Sequence, residues 1–153
     1  FTQSGIPMLY SGDEIGQVND YAYKEDPEKA PDSRYIHRGK FRWDLTERIC
    51  DRKSVQGKIF HALDSLEKIR RSETVFNADA EVFTKDYNDQ SILWVVRRAD
   101  GEELHAVFNF SGSPKTVWMP EKAEYTDLLT GKTEKTETAE LPGWGFLWKK
   151  KKQ

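Results

Sequence analysis

After Thr74 the apolar residues of this chain recur at every second position, whereas just before it they recur at every third or fourth. That change of period constrains the fold more than any other feature. Val55, Ile59, Ala62, Leu63, Leu66 and Ile69 form one stripe, so Ser54 to Ser72 is predicted to be an amphipathic helix. Asp51 or Ser54 can cap its start, and Lys68, Arg70 and Arg71 suit the negative end of its dipole. Downstream, short strands are predicted at Ala80 to Tyr87, Ser91 to Arg98, Glu103 to Phe110, Lys115 to Met119, Ala123 to Leu128, Lys132 to Thr138 and Gly145 to Lys150. Asn88-Asp89, Asp100-Gly101, Ser111-Gly112-Ser113-Pro114 and Thr130-Gly131 supply the turns between them. Strands this short and regularly spaced predict a mainly β fold, an antiparallel sandwich or barrel.

Upstream of the helix the pattern is different. Gly5 to Tyr10 is a short run apolar on both faces, which reads as a strand buried on both sides, with Pro7 tolerable near its start. Gln17 to Asp44 has no period and is rich in Asp, Pro, Tyr and Arg, and an irregular stretch of that length in a compact domain is expected to be either functional or disordered. The shift in composition near Thr74 divides the chain into residues 1–73 and 74–153.

Composition narrows the function classes. The 153 residues carry 24 Lys and Arg against 26 Asp and Glu, a net charge of -2 that offers no field for collecting phosphates, so a nucleic-acid partner is not expected. No apolar run approaches the roughly 20 residues that span a bilayer, so no membrane partner is expected either. The single Cys50 excludes an internal disulfide and reads as a small buried or half-buried residue. His37, His61 and His105 are scattered, and Asp20, Asp26 and Asp32 lie six apart, which matches neither a zinc nor a calcium ligand pattern. Neither metal nor cofactor is expected. Asn109-Phe110-Ser111 matches a glycosylation sequon, but Phe108 and Phe110 mark it as a strand end. Phe1 to Tyr10 lacks the features of a signal peptide, and Phe1 in place of a start methionine leads to the expectation that the chain is cut from a longer, cytoplasmic protein.

Two motifs carry a family resemblance. Gly5-Ile-Pro-Met-Leu-Tyr-Ser-Gly-Asp-Glu14 resembles the eighth-strand motif of the α-amylase family of glycoside hydrolases and transglycosylases. Asn19-Asp20-Tyr21 and Asp32-Ser33-Arg34-Tyr35-Ile36-His37-Arg38 are similar to the long loop after that strand in amylosucrase. The resemblance implies a remnant of a (β/α)8 barrel at 1–73, with its last strand, active-site loop and last helix, followed at 74–153 by the family's C-terminal β-sandwich. A complete barrel needs roughly 250 residues, more than are present. It further implies an enzyme acting on sucrose or α-glucan through a retaining pair of carboxylates about 5 Å apart. By the same resemblance those carboxylates lie on earlier strands, so no catalytic residue is expected in this chain and the chain alone is expected to be inactive.

For substrate binding the resemblance implies Arg34, whose guanidinium fork suits paired hydroxyls or a carboxylate. Asp32 and His37 accompany it on the same loop. The plainer alternatives are a solvated Arg34 and a structural His37. Asp13 and Glu14, as neighbours in a strand, point apart and cannot flank one bond, so they are expected to bind loop backbone and a nearby Arg. Trp94, Trp118, Trp144 and Trp148 are expected in the core, the other reading being sugar-stacking platforms. A non-catalytic carbohydrate-binding or structural β-module is the alternative function. An orphan strand and an uncovered helix stripe also lead to the expectation that the chain associates with itself.

Overall fold

A computed structural model describes residues 1 to 152. The chain forms two compact units, one of Phe1–Pro7 with Leu66–Gln153 and the other of Met8–Ser65.

The first unit is built on a six-stranded sheet in which every pairing is antiparallel. Its strands are β1 (Glu81–Lys85), β2 (Ile92–Ala99), β3 (Glu102–Asn109), β4 (Lys115–Asp127), β5 (Thr133–Leu141) and β6 (Phe146–Lys152), in the order β1-β2-β3-β6-β4-β5. The fold is thus mainly β, as the period-two pattern requires. Asp100 and Asn88 take positive φ in the turns flanking β2, a conformation that Asn and Asp tolerate better than most residues.

The sheet is apolar on both faces. On one, Trp94, Val96, Val107, Val117, Met119, Tyr125, Ala139, Leu141 and Leu147 form a cluster. On the other, Val95, Leu104, Ala106 and Trp148 are covered by Val75 and Phe76, with Leu66 and Ile69 of the helix packed against them. This double cover explains why β2 and β3 read as nearly continuous buried runs, while β4 alternates between buried and exposed positions. Trp94 and Trp148 are buried on opposite faces, as expected, but Trp118 and Trp144 are exposed.

The two strands predicted at Lys115 to Met119 and Ala123 to Leu128 are one strand, β4, with an irregularity between them. Trp118 pairs with Thr138 and Ala123 with Thr136, so five steps along β4 oppose two along β5. The bulge absorbs Pro120, which has no amide hydrogen to give to the ladder.

Arg97 is buried and donates to the carbonyls of Val75 (2.6 Å), Thr2 (3.1 Å) and Asn77 (3.1 Å). Arg70 donates to the carbonyls of Phe1 and Gly5. Both guanidiniums lie 5.5 Å from the centre of the Phe76 ring, whose π face attracts cations. The segment Phe1–Gly5 is therefore held by two arginines through its backbone rather than by strand pairing.

The predicted strand at Gly5 to Tyr10 does not form. Ile6 and Met8 are 90% and 89% exposed. A strand of that composition is stable only between neighbours on both sides, and none of β1 to β6 pairs with it.

The second unit has short helical turns and the first part of a long helix. Single 3-10 turns occur at Asp13–Ile15, Tyr21–Glu25 and Ser33–His37, followed by α1 (Trp43–Thr46) and then α2 (Val55–Ser72), which continues into the first unit. Ser54 is the cap of α2, its Oγ accepting from the Gly57 amide at 2.9 Å, while Asp51 accepts from Lys53 instead. Cys50 is exposed rather than buried, since it lies on the surface turn between α1 and α2.

Candidate functional site

The stretch that looked irregular in sequence is organised by aspartates. Asp20 accepts from the Ala22 amide, Asp26 from Glu28 and Asp32 from Arg34, each at 3.0 Å. Each therefore opens a turn by bonding backbone two residues on, which accounts for the six-residue spacing without any cation. Among the described residues no cluster suited to a metal ion occurs. Gln17 closes the loop, donating to the Lys40 carbonyl at 3.2 Å and accepting from the Arg42 amide at 3.0 Å. The Asp20 amide adds a bond to the Ile36 carbonyl at 2.8 Å.

This closure brings Tyr10, Asp13, Arg34, His37 and Arg38 around a cleft of about 360 Å³. Arg34 and His37 thus share one site, and Tyr10, Asp13 and Arg38 join them. Asp32 stands behind it. Its carboxylate grips Arg34 through two parallel bonds, Nε to Oδ1 at 2.8 Å and one terminal nitrogen to Oδ2 at 2.8 Å, and Arg38 lies 3.7 Å away. The Arg34 bonds hold the Asp32 carboxyl down at about 2, below its ordinary 3.8. With that edge of the fork bound to Asp32, the Arg34 side chain is still 73% exposed.

His37 Nδ1 lies 3.1 Å from Asn19 Oδ1. A carbonyl oxygen accepts, so Nδ1 carries the proton there and Nε2 of a neutral ring is left as an acceptor. Asp13 and Glu14 sit on a 3-10 turn, not a strand, and both bind loop backbone: Asp13 accepts from the Tyr10 amide at 3.3 Å and Glu14 from the Gly12 amide at 2.8 Å. The arrangement suits hydrogen bonding to a polyhydroxyl ligand. It shows no free carboxylate pair for bond cleavage.

Sequence reasoning singled out Arg34 and His37 but missed Tyr10, Asp13 and Arg38 as lining residues. For Arg38 a signal existed, since it follows His37 directly within the motif. Tyr10 and Asp13 lie more than twenty residues upstream of Arg34, and no local pattern announces their approach.

Comparison with known proteins bears on the fold. A family model for the C-terminal domain of β-galactosidase matches residues 94–147. The α-amylase MalA of Haloarcula japonica is 23% identical over 136 residues, covering 86% of this chain and 17% of its own length. Trehalulose synthase MutB from Pseudomonas mesoacidophila MX-45 superposes with a TM-score of 0.76 at 19% identity, over 98% of this chain and 36% of that one. The maltogenic amylase from S. marinus superposes with a TM-score of 0.61 at 20% identity, over 94% of this chain and 17% of that one. The fold is that of the C-terminal region of α-amylase-family enzymes. This chain spans about a third of the length of MutB and a sixth of that of MalA.

Proposed function

We propose that this chain is the C-terminal portion of an amylosucrase-like enzyme of the α-amylase family, acting on the α-glucosidic bond of sucrose or an α-glucan. The observation that carries the reading is the convergence of Arg34 and His37 on one cleft of the 8–65 unit, with Asp32 gripping Arg34 from outside it. A MutB variant that superposes over 98% of this chain with a TM-score of 0.75 is described in complex with its substrate sucrose, which supports a sugar as the ligand class. In this reading the two carboxylates of a retaining mechanism belong to the rest of the parent enzyme, and residues 1–73 end its catalytic barrel while 74–153 form its C-terminal β-domain. Arg34 donates to glucosyl hydroxyls from the nitrogen that Asp32 leaves open, and Nε2 of His37 accepts from another.

The test is kinetic and uses the full-length parent with sucrose. Arg34→Ala is expected to lower kcat/KM at least about tenfold, equivalent to roughly 1.4 kcal/mol, and Arg34→Lys to recover little because an ammonium cannot bond Asp32 and a sugar in one plane. Unchanged kinetics would reject the role. The alternative, a non-catalytic carbohydrate-binding module, is favoured by one observation, the exposure of Trp118 and Trp144.

A further inference from the structure

Trp144 is held where a tryptophan is least at ease. Its φ is 56°, in the left-handed region, which a bulky residue adopts only at a cost. The other non-glycine residues with positive φ among those described are Asn88 and Asp100, which tolerate it. The indole gains no burial in return, being 73% exposed.

The surrounding loop is built to keep it there. A Cβ at Gly143 would come within 2.2 Å of the Gly112 carbonyl oxygen, and one at Gly145 within 2.5 Å of the Pro142 ring. The Trp144 amide donates to the Ser111 carbonyl at 2.8 Å. Asn109, only 2% exposed, fastens both loops from below: its Nδ2 donates to the carbonyls of Ser113 (2.8 Å) and Pro142 (3.0 Å), and its Oδ1 accepts from the amide and hydroxyl of Ser111. That role engages the Asn109 amide nitrogen, the atom to which a glycan at this sequon would be attached.

We propose that Trp144 is a surface carbohydrate-binding platform, on which one pyranose ring of an α-glucan stacks against the indole. A rigid, exposed aromatic ring matches the apolar C–H face of a sugar, while the Ser111-Gly112-Ser113 loop beside it suits the sugar's hydroxyl rim. The loop residues beside this ring are Ser, Gly and Pro, and the exposed aromatics that flank the two loops, Phe110 and Phe146, stack on Phe108. Preorganisation is the gain from the strained backbone, since no rotamer-rich loop has to be ordered on binding. The choice of an α-linked glucan rests on the function proposed above; the platform itself rests on the loop.

The experiment is native electrophoresis of the full 153-residue chain through gels containing amylopectin, with fluorescence titration by maltoheptaose as a second readout. The wild type is expected to be retarded, and Trp144→Gly to bind at least about tenfold more weakly. Trp43→Ala, at an equally exposed tryptophan of the other unit, is expected to be retarded like the wild type. Because glycine adopts a φ of 56° freely, Trp144→Gly should melt no lower than the wild type. A wild type that amylopectin does not retard, equal retardation of Trp144→Gly, or a Trp144→Gly variant that melts several degrees lower would each overturn the platform. Retardation by a β-linked glucan alone, abolished in Trp144→Gly, would overturn the α-glucan assignment, and the Arg34 kinetics judge the parent's activity separately.

Discussion

Trp94 donates its indole Nε1 hydrogen to Nδ1 of His105 across 3.2 Å inside the sheet's buried face. An acceptor at Nδ1 means that the ring is neutral and carries its proton on Nε2, which lies 2.8 Å from Glu103 Oε1. Protonating Nδ1 would set two donors against each other. Burial lowers the His105 value from 6.5 to about 4, with Glu103 opposing the shift and Lys85 and Lys151 adding to it.

The sign of the pH dependence follows. Below about 6.5 the unfolded chain takes up a proton that folded His105 refuses, so stability is lost as pH falls from about 6.5 to about 4. The loss amounts to about 3 kcal/mol at most. Asp89 and Glu134, lowered to about 2 by Lys115 and by Lys132 with Lys149, contribute stability that is lost mainly below pH 4. Urea denaturation at pH 7, 5.5 and 4.5 should show this slope, and His105→Gln should flatten it while being less stable at pH 7. An equal slope in both proteins would reject the assignment.

The two buried tryptophans should respond differently to the same substitution. Trp94→Phe leaves His105 Nδ1 without its donor, whereas Trp148 Nε1 is buried with no hydrogen-bond partner, so Trp148→Phe removes an unsatisfied group. The lost volume is the same. Trp94→Phe is expected to cost about 1–3 kcal/mol more than Trp148→Phe, measured from denaturation midpoints at pH 7.

Asp32 and Arg34 should act as one unit in the parent enzyme. Asp32→Ala frees the whole fork but lets it swing, so it should raise KM and lower kcat/KM. The double variant Asp32→Ala/Arg34→Ala should be no worse than Arg34→Ala alone. Additive losses would mean that Asp32 acts independently of Arg34.

Much of the β-unit was legible because each strand's pattern is set by what it faces. A period of two and the turn residues marked the strands, although β2 and β3 are buried along most of their length on both faces. Gly5 to Tyr10 misled because the same composition becomes a strand only when neighbours pair with it, a non-local condition. Pro120-Glu121-Lys122 looked like a break between strands because a bulge has the residue chemistry of a turn. Exposure of Trp118 follows from its falling out of phase with Val117 and Met119, which the pattern already contained. Nothing in the sequence marked Trp144 for a left-handed backbone except the glycines on either side. The motif brought Arg34 and His37 into view, but the Asp32 grip needed coordinates.

Self-association is expected to depend on Ile6 and Met8 rather than on strand edges, since no strand forms there and both side chains are almost fully exposed. Sedimentation equilibrium at high micromolar concentration should show a species heavier than a monomer. Ile6→Lys/Met8→Lys should shift it toward the monomer, and a monomeric wild type would dispose of the idea.

The arginine clasp on Phe1–Gly5 bears on where the protein can be cut. A chain trimmed to begin at Thr74 keeps all six strands, yet it removes the Thr2 carbonyl from Arg97 and strips Leu66, Ile69 and Arg70 from the Phe76 side of the sheet. One of the three carbonyls that satisfy a buried guanidinium then goes, and an apolar face opens to water. A usable boundary for producing the β-unit therefore lies upstream of Leu66 with the opening residues supplied as a separate peptide. That peptide's affinity would report how much of the sheet's stability is lent by chain sixty residues away.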